Sequence, residues 1–223
     1  MKERWKRLLS FSVFVFLVFS GFSGLIAEEP PMDVVQAARK GICDFVKAER
    51  SSDNSPYPMA GKASLDNAVI GHGFQLYSVP PMTLVNSSGL RSVIAPLGVW
   101  RFVTAADGSP VTLITVAKIQ GEWRAVSMGG ARLAAEVHQV MEQWPAQKGY
   151  NHRFVRIFQA RVDFIEITTT GSKLLGYVPL AASRHVFGLE GPFDAGALLQ
   201  ESEVLTPLQG LIKERLLGLE EKN

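Results

Sequence analysis

Apolar residues recur along this chain with two different periods, and the change from one to the other divides it into elements. After Asp33, the residues Val35, Ala38, Ile42, Phe45 and Val46 fall on one side at helical spacing, while Arg39, Lys40, Asp44 and Lys47 lie elsewhere. This predicts an amphipathic helix to about Glu49 with Asp33 as its cap. Cys43 stands at the edge of that stripe, where a small hydrophobe is the simplest reading. Ser51 to Ala60 is rich in Ser, Asn, Pro and Asp and reads as loop.

The period then becomes two. Gly73 to Val79 alternates as a first strand, stopped by Pro80-Pro81, and Leu97 to Ala105 gives a second. Asp107-Gly108 is a strong hairpin signal. Val111 to Ile119 and the stretch ending at Met128 supply strands three and four around Gln120-Gly121. Val111 to Ile119 is apolar on both faces, so this strand should be covered on each side. Helical spacing returns after Gly129-Gly130, with Leu133, Val137, Val140, Met141 and Trp144 on one face and Pro145 as the stop.

Arg153 to Thr170 reads as one long strand, and Lys173 to Val178 as its hairpin partner across Thr170-Gly171-Ser172. Ala181 to Leu205 is irregular. From about Pro207 a last amphipathic helix carries Leu208, Leu211, Ile212, Leu216 and Leu219 on one side. The order is helix, four strands, helix, two strands, helix. It predicts a single α+β domain over 28–223, with an antiparallel sheet, a meander plus a second hairpin, packed on two or three helices. The opening helix followed by a meander resembles the cystatin-like and NTF2-like architectures in outline.

Charge changes the picture at the N-terminus. Lys2, Arg4, Lys6 and Arg7 precede an apolar run, Leu8 to Phe22, and Ala27 precedes Glu28-Glu29-Pro30-Pro31. That is the order of a secretory signal peptide over 1–27. The apolar stretch to Ala27 also approaches the ~20 residues needed to span a bilayer, so a retained anchor is the alternative. In both cases the body lies outside the cytoplasm. The whole chain carries 23 basic and 21 acidic residues; removing the four cations and one anion of 1–27 leaves 19 and 20, a net charge of −1. No positive footprint remains for nucleic acid, and membrane contact is expected only through the N-terminal segment. One cysteine allows no internal disulfide, which suits a bacterial envelope and requires the core to hold the domain.

Sites were weighed against simple structural roles. Gly129-Gly130 enters a helix but is followed by Ala131-Arg132-Leu133, not by the Lys and Ser or Thr of a phosphate loop, so it should only turn a corner. Gly71-His72-Gly73 lacks the third glycine of a dinucleotide fingerprint and precedes a strand. His72, His138, His152 and His185 make no short ligand pair, so neither a metal nor another cofactor is expected. The remaining candidate lies in the long strand, where period-two spacing puts Gln159, Arg161 and Asp163 on one apolar face. A charge there needs an ion-pair partner, water or a ligand. The expected function is an exported, non-catalytic envelope domain that binds a peptide, protein or small ligand through these residues. The alternatives are an extracytoplasmic hydrolase assembled from residues such as Asp163, Arg161 and His152, and a tethered assembly protein that dimerises through its last helix.

Overall fold

The computed structural model describes residues 29–50 and 67–220. The expected signal segment and the whole of the Ser51–Ala60 loop lie outside the described residues. Thirteen elements follow in order. Helix α1 (Met32–Arg50) precedes strand β1 (Val69–Ser78) and a single turn, α2 (Pro81–Val85). Strands β2 (Ala95–Ala106), β3 (Ser109–Ile119) and β4 (Glu122–Gly129) form the meander. Helix α3 (Ala131–Gln143) and a 3-10 turn (Ala146–Lys148) lead to β5 (Tyr150–Ile157), β6 (Val162–Thr169) and β7 (Leu174–Pro179). A second 3-10 segment (Ala181–Phe187) and α4 (Glu201–Glu220) complete the chain.

All seven strands join one sheet in the order β4-β3-β2-β1-β5-β6-β7. Its neighbours are antiparallel except at the centre, where β1 and β5 run parallel. A parallel pair needs a long crossover, and everything from α2 to the 3-10 turn before β5 provides it. The α+β class and the covered, antiparallel meander are therefore present, and the likeness to a cystatin is one of outline.

The two expected tight hairpins form at the expected dipeptides. Asp107 and Gly108 have φ of 51° and 76°, and Gln120 and Gly121 have 52° and 88°, the double positive φ that matches strand twist. Gly129-Gly130 turns a corner: Gly130 is the N-cap of α3, with φ 78°.

The expected single strand over Arg153–Thr170 is corrected. It folds back on itself as β5 and β6, with the turn at Phe158–Arg161. Arg161 N–H donates to the Phe158 carbonyl at 3.1 Å, and Arg161 sits at φ 54°. The turn contains no Gly, Pro, Asn or Asp, so its sequence alternates straight through. Helix α4 also begins earlier than expected. Glu203 caps it by accepting the Gln200 N–H at 2.6 Å, one half of a capping box, and Pro207 lies inside it. Cys43 is exposed, outside the apolar stripe.

The sheet is buried on both faces. Helix α3 covers one, where Val137 and Val140 meet Phe74, Leu76, Phe154 and Ile165. The other face has two covers side by side. Helix α1 lays Val34, Ala38 and Ile42 on Trp100, Phe102 and Ile114, while α2 and α4 lay Leu84, Val204, Leu208 and Ile212 on Val155, Phe164 and Tyr177. The seam between β1 and β5 therefore lies where one cover ends and the next begins.

Candidate functional site

That seam opens into a cleft of about 420 Å³. The β1–β5 ladder pairs only Leu76 with Phe154 and Tyr77 with Val155. The lining comes from His72, Gln75 and Tyr77 along β1, and from Tyr150, Asn151 and His152 at the N-terminal end of β5. Glu29 and Pro30 form one lip and Ala146 another.

Each wall is set by local packing. A side chain at Gly73 would put Cβ 2.5 Å from Phe102 Cε1 and 2.7 Å from Pro30 Cγ. Only a glycine lets the chain before α1 close over β1 there. Phe74 stacks on Phe154 with ring centroids 5.1 Å apart, and His72 lies over Phe74 at 6.4 Å. Tyr150 is held edge-on by Trp144 at 5.3 Å, and Trp144 is held in turn by its Nε1–H, which donates to the Ala195 carbonyl at 2.8 Å. Tyr77 carries the Arg153 guanidinium on its face at 5.6 Å.

Two imidazoles from distant parts of the chain meet here, with centroids 6.3 Å apart and planes nearly perpendicular. His152 Nε2 lies 2.6 Å from the Trp144 carbonyl. A carbonyl only accepts, so Nε2 carries the proton and Nδ1 is left as an acceptor. Burial pushes the His152 pKa down to about 4, opposed by that hydrogen bond and reinforced by His72. The ring is therefore neutral at physiological pH. His72 stands exposed at the rim, and its partial desolvation lowers its pKa as well. Gln75 Oε1 is buried and accepts no hydrogen bond. Asn151 gives its Nδ2–H to the Thr169 carbonyl at 3.3 Å. The cleft can thus hold a ligand by ring contacts and fixed acceptors.

A larger groove of about 590 Å³ runs between α1 and β4. Its charges already satisfy one another: Lys40 pairs with Asp44 at 2.5 Å and Arg124 with Glu122 at 2.9 Å. Among the described residues no buried, unpartnered polar side-chain atom lines it, so the smaller cleft is the candidate on chemistry.

The residues expected to form a site do not meet. Gln159 and Arg161 are exposed in the β5–β6 turn, where the Gln159 carbonyl accepts from Arg215 of α4. Asp163 is buried in β6 and pairs across the hairpin with Arg156 at 3.4 Å. Burial raises the Asp163 pKa, against the pull of Arg156 and Arg101, and Glu136 raises it further. The shared face for Gln159, Arg161 and Asp163 is corrected, because the turn breaks the period between them. His152 pairs with Ile167 of β6, four positions along the strand from Asp163, so the suggested grouping of His152, Arg161 and Asp163 is not assembled either. Of the histidines named from sequence, the structure brings His72 and His152 together. Gln75, Tyr77, Tyr150 and Asn151 gave no sequence signal, since only the parallel β1–β5 pairing makes them neighbours.

Among the described residues no group of three or more His, Cys, Asp or Glu is placed to hold a metal ion, and no helix is long and apolar enough to cross a membrane. Compared with known proteins, the chain matches no family model, no curated protein and no solved structure.

Proposed function

We propose that this chain is an exported, non-catalytic binding domain of the bacterial cell envelope, and that its ligand enters the cleft between β1 and β5. The observation that carries the binding part is the cleft itself. It is a concave site of ligand size, walled by aromatic rings, with a few convergent polar groups. Its polar chemistry favours holding over reacting. The two imidazoles face each other rather than a carboxylate, and His152 spends its N–H on a backbone carbonyl. A base needs an orienting group and a nucleophile within hydrogen-bond reach, and among the described residues no Ser, Thr or Cys lines the cleft. Export rests on the basic start, the apolar run and Ala27.

One experiment tests binding against turnover. The full chain is incubated with an envelope extract, recovered, and its bound small molecules and peptides are read by mass spectrometry. The reading predicts a ligand recovered chemically intact and lost when Tyr150 and Asn151 are replaced by alanine. A ligand consumed during incubation, with a new product accumulating, would replace it with the hydrolase reading. Export is checked separately, by fusing residues 1–27 to a reporter that is active only outside the cytoplasm.

A further inference from the structure

The cleft presents acceptors that the protein's own donors leave open, one of them buried. Gln75 Oε1 is buried and unpartnered. His152 offers Nδ1, because its Nε2–H is given to Trp144. Asn151 gives one Nδ2–H to the Thr169 carbonyl, which leaves Oδ1 as an acceptor and a second N–H as a donor. The carboxylate of Glu29 stands at the lip. Among the described residues no Lys or Arg lines the cleft, so Glu29 contributes its one formal charge when the histidines are neutral. Two guanidiniums stand behind its rings: Arg153 lies on Tyr77 and is held by Glu166, and Arg101 lies over Phe154.

From this arrangement, and resting on the cleft being a binding site, we propose that it selects an organic cation: an ammonium or guanidinium group carried on an apolar stem. Such a group consists of donors only, and so matches the unpartnered Gln75 Oε1 and the carboxylate of Glu29. A buried acceptor without a partner is costly, and a ligand N–H aimed at Gln75 Oε1 removes that cost. The ring of Tyr150 attracts a cation through its quadrupole, and the carboxylate at the lip draws it in. A carboxylate or phosphate ligand would meet the same acceptors and the same negative charge, and is rejected. A neutral sugar could stack on the rings but would gain nothing from Glu29. A free amine and the basic side chain of a peptide share the chemistry that this cleft reads.

The test uses three probes of one shape on the full chain: n-butylammonium, butanol and butyrate. The ring resonances of His152 and Tyr150 are followed by NMR at pH 7.5. Saturable shifts are expected with butylammonium, with butanol at least tenfold weaker and no response to butyrate. Glu29→Gln should weaken butylammonium at least threefold and leave butanol unchanged. Gln75→Leu should weaken both, and a circular dichroism spectrum like that of the parent confirms its fold. Lysine amide and agmatine then distinguish a peptide side chain from a free amine. Butanol or butyrate binding as well as butylammonium, Glu29→Gln without effect, or no response to any probe would overturn the proposal. If an envelope ligand still maps to the cleft in those cases, the binding reading stands and only the cation is lost. If it maps elsewhere, both fail.

Discussion

Arg153 Nη2 donates to both carboxylate oxygens of Glu166, at 2.5 and 2.6 Å, and Nε adds a third bond at 3.0 Å. The two residues face each other across β5 and β6 and are 7% and 1% exposed. The charge expected to need a partner, Asp163, finds one in Arg156; the more completely buried pair is Arg153–Glu166, which the sequence did not single out. Burying an ion pair gains little over apolar replacement, but removing one partner strands the other. Arg153→Met or Glu166→Leu alone should therefore cost about 3–5 kcal/mol. The double variant should recover much of that, because Arg91, 3.6 Å from Glu166, is partly exposed and can turn to water. Urea unfolding of all three variants checks this, and additive single effects would show that the residues are not coupled.

The β5–β6 turn shows where the sequence was silent. Phe158-Gln159-Ala160-Arg161 has no turn chemistry, so hydrophobic alternation continued through a reversal of direction. Length was the signal that could have found it, since the run is roughly three times that of a typical strand. The hairpins at Asp107-Gly108 and Gln120-Gly121 were legible because a dipeptide encodes each one. The apolar stripe of α3 was legible because Val137 and Val140 are wholly buried on one face. The β1–β5 pairing was not legible. It joins Leu76 to Phe154 across a crossover that no local preference specifies, and the cleft exists only through it.

Trp144 should matter less than a fully buried tryptophan. It is half-buried at the end of α3, edge-on to Tyr150 and bonded to the Ala195 carbonyl. Trp144→Ala should cost about 2 kcal/mol, below the ~3–5 kcal/mol typical of complete burial. It should also broaden the Tyr150 ring signal. An unchanged melting temperature would mean that α3 is not anchored through this ring.

Gly41 gives a prediction of opposite sign to helix propensity. Alanine is intrinsically better in a helix by about 1 kcal/mol. Here its Cβ would lie 2.1 Å from Ala125 Cβ and 2.9 Å from Ile114 Cδ1, so α1 would have to lift from the sheet. Gly41→Ala should destabilise by about 1–3 kcal/mol, as overpacking does. A gain in stability on chemical denaturation would show that α1 does not lie against β4 in solution.

His152 makes stability depend on pH in a defined direction. Its folded pKa of about 4 lies below the ordinary imidazole value of 6.5, so between those values the unfolded chain binds more protons. Stability is therefore full above about pH 6.5 and falls as pH drops towards 4. The loss reaches about 3 kcal/mol at most, at 1.36 kcal/mol for each pK unit. Asp163, whose pKa is raised from 3.8, acts in the opposite sense from that pH upward, within the same range. The difference between the parent and His152→Gln isolates the imidazole. Parallel stability curves for the two proteins from pH 7 to 4 would contradict the buried, neutral ring.

The most direct test of the account is to locate the bound ligand. Backbone and ring chemical shifts of the full chain are recorded while the ligand fraction of an envelope extract is added. The account predicts that saturable changes centre on His72, Gln75, Tyr150, Asn151 and His152. Changes centred instead on the groove of Phe45 and Trp123 between α1 and β4, or on the turn at Gln159 and Arg161, would contradict it.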